Sequence, residues 1–103
     1  MENILHWKSR GNQFFKLNDI LKAINCWEES LQLIKDYDHD LQSMKDLKDL
    51  QSKQEETRSL KSSLLGNLAL GHLKRNEIDE SEFYNSSQLA LDPENIKGHY
   101  RVI

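Results

Sequence analysis

Residues that form turns are scarce in this sequence, and their scarcity limits the folds that the chain can adopt. The 103 residues include only 4 Gly and 1 Pro. An all-β domain needs a turn after about every 8–12 residues, and turns of that kind depend on Gly and Pro. We therefore predict an all-α protein with long helices, and the length leaves room for one domain with a small core.

Composition and charge exclude several classes of function. Lys and Arg number 14 and Asp and Glu number 17, so the formal charge of -3 does not indicate binding to nucleic acid or to an acidic membrane. Cys26 is the single cysteine, which excludes an internal disulfide and a zinc site built from thiolates. The sequence shows neither a signal peptide nor an apolar run long enough to span a membrane. We expect a soluble, cytoplasmic protein that binds no cofactor and no metal.

Apolar residues at helical spacing predict the first two helices. Asn3 is predicted to cap the first helix, which ends at Asn18 and Asp19. A second helix is predicted over 20–37, where apolar residues lie one, three or four positions apart. The apolar positions of the two helices are Leu5, Trp7, Phe14, Phe15, Leu17, Ala23, Ile24, Trp27, Leu31 and Ile34.

The segment 38–61 differs in composition, being rich in charged residues, Gln and Ser and containing neither Pro nor Gly. Leu41, Met44, Leu47 and Leu50 recur there every three residues, which favours a weakly amphipathic helix over a disordered linker. These residues either extend the second and third helices, which then pack on each other, or form a stripe that binds a partner. We favour the first interpretation.

Two further helices are predicted in the second half of the chain. The third covers the leucine-rich segment 64–73 and ends at 75–77. The fourth begins either at Ile78 or at Asp79, because Asp79 and Glu82 resemble a capping box. It is predicted to stop at Asp92 and Pro93, before a fifth helix that begins near residue 95.

The first pair of helices recurs in the second pair at an offset of 58 residues. The identical pairs are Lys16 and Lys74, Asn18 and Asn76, Ile20 and Ile78, Leu31 and Leu89, and Leu33 and Leu91. The offset equals one period of about 34 residues plus an insertion of about 24, which is the length of 38–61. One helical hairpin cannot bury both of its apolar faces alone, so stacked hairpins are predicted.

At this period the sequence resembles the tetratricopeptide repeat family. Repeat 1 covers 4–37, repeat 2 covers 62–95, and 96–103 resembles the start of a third repeat or a capping helix. The residues at the family's packing positions are Trp7, Gly11, Phe14, Ala23, Trp27, Leu65, Ala69, His72, Ser81 and Asn85. The resemblance implies a single domain, 1–103, in which helix-turn-helix repeats form a right-handed superhelical array.

Five polar residues resemble the two-carboxylate clamp of some members of this family. In those domains the clamp grips the acidic C-terminus, Glu-Glu-Val-Asp, of heat-shock chaperones of the seventy- and ninety-kilodalton classes. The matching residues here are Lys8, Asn12, Asn67, Lys97 and Arg101. The resemblance therefore implies a co-chaperone-like adaptor for protein–protein interaction, with Phe15 and His72 lining the peptide-binding groove.

The spacing of these residues is also chemically coherent. Residues four apart share one face of a helix, so Lys8 lies beside Asn12 and Lys97 beside Arg101. Cations and amides on one surface can donate charge-assisted hydrogen bonds to a terminal carboxylate and an acidic side chain. The alternative is a structural scaffold that docks on a larger assembly without binding a tail. In either case the third repeat is incomplete, so we expect that the chain is a fragment or that a neighbouring chain completes the stack.

Catalytic arrangements are missing from the sequence, and we expect that the protein is not an enzyme. We find no Gly-rich phosphate loop, no pair of catalytic acids and no Ser/His/Asp arrangement. The four histidines lack the spacing of metal ligands. Cys26, beside Trp27, is predicted to be a thiol of the core rather than a nucleophile.

Overall fold

The computed structural model describes residues 2–91, and the secondary structure of this part of the chain is α-helical, without a strand. The helices are α1 (Glu2–Lys16), α2 (Ile20–Leu41), α3 (Leu47–Lys74) and α4 (Ile78–Leu91). Each helix packs against the next one along the chain. The prediction of an all-α protein is confirmed.

Two asparagines reverse the chain after α1 and after α3. Asn18 and Asn76 have φ angles of 63° and 61°, in the left-handed region. The bonds of the two turns are Asn18 N–H to Phe15 O (3.0 Å), Asp19 N–H to Phe14 O (2.9 Å), Asn76 N–H to Leu73 O (2.9 Å) and Glu77 N–H to His72 O (2.8 Å). This pattern is the Schellman motif, in which Asn is one of the few residues that tolerate the left-handed position. The breaks predicted at Asn18 and at 75–77 are confirmed.

Because the backbone at Asn18 is left-handed, we predict that the stability of the fold depends strongly on which side chain occupies this position. We expect Asn18→Val to lower the free energy of unfolding by about 1–2 kcal/mol, because a β-branched side chain clashes with the backbone in this conformation. Asn18→Gly should be at least as stable as the native chain, since Gly adopts a positive φ freely. Urea unfolding followed by circular dichroism measures both. Equal stability of the Val and Gly variants would contradict the prediction.

The starts of α1 and α4 bear on two predictions. α1 includes Glu2, so Asn3 lies inside the first turn of the helix, and the prediction that it is the cap is wrong. α4 begins at Ile78, and the carbonyl of Glu77 accepts the N–H of Ser81 at 3.1 Å. The start at Ile78 is therefore confirmed over the capping box that begins at Asp79.

The segment 38–61 extends both helices that flank it. α2 continues to Leu41, four residues beyond its predicted end, and α3 begins at Leu47 after a short connection. Asp46 caps α3, because its side chain accepts the N–H groups of Lys48 at 3.0 Å and of Asp49 at 3.4 Å. Leu41 is buried in this extension. The extension of both helices is confirmed, whereas packing of the four residues on each other stays a prediction, since Met44 lies in the connection and Leu47 is 77% exposed.

Consecutive helices run antiparallel, and α2 lies between α1 and α3. Ile24 of α2 packs on Gly71 of α3, whereas Lys35, farther along α2, shares a groove with Lys61, which comes earlier in α3. α1 and α3 therefore run in the same direction on α2. The apolar core consists of Ile4, Ala23, Ile24, Trp27, Leu31, Ile34, Leu64, Leu65 and Leu68.

Candidate functional site

Three of the predicted binding residues form a stripe along α1. Lys8, Asn12 and Phe15 are four and three residues apart, so they lie on one face of the helix. Trp27 Nε1 donates a hydrogen bond of 3.2 Å to Asn12 Oδ1. An indole N–H can only donate, so this bond turns the amide oxygen towards α2 and leaves the two N–H groups of the Asn12 amide to donate elsewhere.

Phe15 lies where α1 meets α3. Its ring contacts the Trp27 indole, with centroids 5.6 Å apart, and Lys74 Nζ lies 4.8 Å from the centroid of the ring. Lys74 is a cation that the sequence analysis did not assign to the site. No spacing in the sequence identifies it, because the contact joins residues of two different helices.

The contact between Phe15 and Lys74 is a reference point for the positions of Lys8 and Asn67 along α1 and α3. Lys8 precedes Phe15 by seven residues and Asn67 precedes Lys74 by seven, which is about 10.5 Å along each helix. Because α1 and α3 run in the same direction, this spacing predicts that Lys8 and Asn67 lie at a similar level on the two helices. We call the area formed by Lys8, Asn12, Phe15, Asn67 and Lys74 the α1/α3 surface.

The polar groups of the α1/α3 surface have few partners within the protein. Lys8 and Asn67 are half-buried, and their side chains make no hydrogen bond or ion pair among residues 2–91. Their donors are therefore free to bind an anion. Lys97 and Arg101, the other two predicted clamp residues, lie outside the described residues, as does the start of the third repeat.

His72, the other residue predicted to line the groove, contacts α4 rather than α1. Its ring stacks on Tyr84, with centroids 5.4 Å apart and planes 12° from parallel. Its Nδ1 lies 3.1 Å from Glu77 Oε1, and the residue is 8% exposed. His72 also borders a cavity with Glu28 of α2. Its remaining surface therefore faces α2 and α4.

The bond between His72 and Glu77 predicts part of the response of the fold to acid. Hydrogen bonding to His72, and then to Arg75, holds the pKa of Glu77 below its ordinary value of 4.5. A lowered pKa in the folded state means that the stabilisation is present above pH 4.5 and is lost as the pH falls through the lower folded value. We therefore expect that the free energy of unfolding falls less steeply with decreasing pH in Glu77→Gln than in the native chain.

Unfolding in urea at a series of acidic pH values measures this effect. Glu82→Gln is the matched control, because Glu82 is an exposed carboxylate in the helix that follows Glu77. If the free energy of unfolding depended on acidic pH equally in the native chain and in Glu77→Gln, the prediction would be refuted.

The thiol of Cys26 and the side chains that can bind metal ions are the remaining groups of chemical interest in residues 2–91. Cys26 is buried, as predicted for a thiol of the core. Burial raises its pKa, while the Arg10 guanidinium opposes the shift, so the thiol stays protonated. No group of three or more His, Cys, Asp or Glu residues within 2–91 could hold a metal ion.

Comparison with known proteins adds no assignment. No family model matches the chain, and no curated protein sequence matches it. Within residues 2–91, no helix combines the length and the apolar character that crossing a membrane requires.

Proposed function

We propose that this chain is a cytoplasmic adaptor built from tetratricopeptide-type repeats, and that its α1/α3 surface binds the acidic C-terminal tail of a heat-shock chaperone. The observation that carries the proposal is the contact between Phe15 and Lys74, from which we infer that Lys8 and Asn67 lie at a similar level, beside the amide that Trp27 orients. Three donors on one surface suit a carboxylate ligand.

The repeat part of the proposal is supported by equivalent contacts in the two hairpins. Ser30 Oγ donates to Ile4 O at 2.7 Å, and Gln88 Nε2 donates to Ser62 O at 2.8 Å. Each donor and each acceptor in the first bond lies 58 residues before its counterpart in the second. The ends of α1 and α3, the starts of α2 and α4 and the two left-handed asparagines have the same offset. Equivalent contacts in successive hairpins are what an array of stacked repeats requires, and they support this part of the proposal.

The ligand part follows from the chemistry of a tail that ends in Asp. Such a tail presents two carboxylates at one residue, the chain terminus and the side chain. Lys8 supplies a positive charge, and the Asn12 and Asn67 amides donate hydrogen bonds without adding repulsion between cations. Lys97 and Arg101 belong to the proposal through the resemblance, as the second cationic pair. Lys74, over the Phe15 ring, adds positive charge at the edge of the surface.

Titration of a labelled peptide ending in Glu-Glu-Val-Asp tests the proposal directly. We expect binding to be lost when the C-terminus of the peptide is amidated, because one of the two carboxylates is removed. A hydrogen bond to a charged group is worth about 1.5–3 kcal/mol, so Lys8→Ala or Arg101→Ala should weaken binding about tenfold to a hundredfold.

Lys53→Ala is the matched control for these variants, because Lys53 is an exposed lysine of α3 that lies outside the α1/α3 surface. Circular dichroism verifies that each variant is folded. Absence of binding by the folded native chain, or equal binding of the free and the amidated peptide, would refute the proposal.

A structural scaffold is the second candidate function, and two exposed leucines favour it. Leu17 is 76% exposed and Leu21 is 51% exposed, and both lie at the turn between α1 and α2. Apolar side chains at the tip of a hairpin can dock on a larger assembly. Salt separates the two candidates, because binding of a carboxylate weakens as ionic strength rises, whereas apolar docking does not.

A further inference from the structure

Residues of α2, α3 and α4 line two adjoining cavities, which share Phe83 and Tyr84 and form one groove. Its wider part, of about 510 Å³, is lined by apolar side chains that include Leu31, Leu65 and Tyr84. Phe83 borders both this part and a narrower part of about 310 Å³. The Phe83 side chain is nevertheless 65% exposed. One surface therefore carries both a recess and a protruding aromatic ring, and we call it the α2/α4 groove.

The two ends of the α2/α4 groove carry opposite charges. Lys35 and Lys61 line the wider part, whereas Glu28, Asp79 and Glu80 line the narrower part. Glu28 and Lys35 are seven residues apart on α2, which places the two ends about 10.5 Å from each other along that helix. Tyr84 lies between them, and burial and then the Glu28 charge raise its pKa, so its phenol stays neutral. The groove is therefore apolar in the middle, acidic at one end and basic at the other.

We propose that the α2/α4 groove is the interface of a symmetric homodimer. A two-fold axis that lies in the interface, at right angles to the groove, places the acidic end of one copy against the basic end of the other. The same rotation places the Phe83 ring of each copy beside the recess of its partner. An isologous interface requires that both complementary features lie on one surface, and this surface has both. A groove for a separate peptide needs the recess but not the exposed ring.

Dimerisation through this surface leaves the α1/α3 surface of each copy free. The inference does not depend on the proposed function, because the two surfaces share no residue. A dimer without tail binding and tail binding without a dimer are therefore separate results.

Sedimentation equilibrium of the full chain over a range of concentrations tests the inference. We expect a species of twice the 12.1 kDa mass of one chain. Glu80→Lys and Lys61→Glu each place like charges opposite each other at both ends of the groove, and each should raise the dissociation constant about tenfold or more. An equimolar mixture of the two variants should restore the dimer, since the lysine introduced in one variant then faces the glutamate introduced in the other.

Controls on the same helices keep the test specific. Glu82→Lys and Lys53→Glu make the same changes of charge at exposed positions outside the groove and should leave the dissociation constant unchanged. Phe83→Asp should abolish the dimer while the helical circular dichroism is retained, because the ring is mostly exposed in the monomer. A native chain that is monomeric at every concentration would overturn the inference. A dimer that persists in Phe83→Asp, or mixed charge variants that fail to associate, would overturn it as well.

Discussion

Trp27→Ala is expected to lower the free energy of unfolding by about 3–5 kcal/mol, the usual cost of removing a large aromatic side chain from a core. Trp27 is 2% exposed and lies in the core of the structure. On α1 its indole lies against Gly11 and bonds to Asn12, and on α3 the opposite edge of the ring packs on Gly71. The substitution therefore weakens the packing of α2 against both of its neighbours.

A loss of this size is a large part of the stability of a small domain, which totals about 5–15 kcal/mol. Urea unfolding followed by circular dichroism measures it, and we expect the variant to unfold at a much lower urea concentration. Leu47→Ala is the control, because this large apolar side chain is 77% exposed and its removal should change stability by about 0.5 kcal/mol or less. Comparable losses in the two variants would contradict the role that we assign to Trp27.

Trp27→Phe separates the hydrogen bond from the packing. A phenyl ring fills most of the space of the indole but cannot donate to Asn12 Oδ1, so the amide of Asn12 loses the bond that orients it. A smaller loss of stability is expected than in Trp27→Ala. If the proposed function holds, the affinity for the acidic peptide falls as well, although Trp27 does not contact the ligand.

The sequence predicted the α-helical class and the positions of the turns because both depend on local interactions. Asn18 and Asn76 end their helices through a backbone conformation that few other residues adopt. Because the two asparagines are 58 residues apart, the repeat offset predicted the second turn from the first. The spacing of apolar residues in 38–61 predicted that α2 and α3 extend into this segment, but it did not predict where they end and begin. The start of α3 depends on the side chain of Asp46, which caps the helix within a charged segment.

The candidate site was less predictable than the fold, because it depends on which helix faces lie next to each other. The spacing of Lys8 and Asn12 identified the stripe on α1. The role of Trp27 in orienting Asn12 required the contact between α1 and α2, which no spacing reveals. The position of Lys74 over Phe15 required the contact between α1 and α3. His72 was assigned to the groove by its place in the repeat, and its stacking on Tyr84 depends on the pairing of α3 with α4.

Gly11→Ala is expected to lower the free energy of unfolding by about 1–3 kcal/mol, the range for excess volume in a packed core. A Cβ atom at this position would lie 2.5 Å from both Cδ1 and Nε1 of Trp27. The indole cannot move aside easily, because Gly71 packs on its other edge and its N–H bonds to Asn12. Alanine in place of glycine within a helix would by itself add about 1 kcal/mol of stability, so a net loss means that the clash outweighs this gain.

Gly71→Ala is the matched comparison for Gly11→Ala. A Cβ atom at Gly71 would lie 3.0 Å from Ile24 Cγ1 and 3.4 Å from Trp27 Cζ3, contacts that a small shift can relieve. The gain in helix propensity should then offset most of the cost, and stability should change by less than about 1 kcal/mol. Urea midpoints of the two variants decide the matter. If Gly11→Ala were as stable as Gly71→Ala, the indole would have room to move, and the close approach of α1 to α2 would not depend on the missing side chain at Gly11.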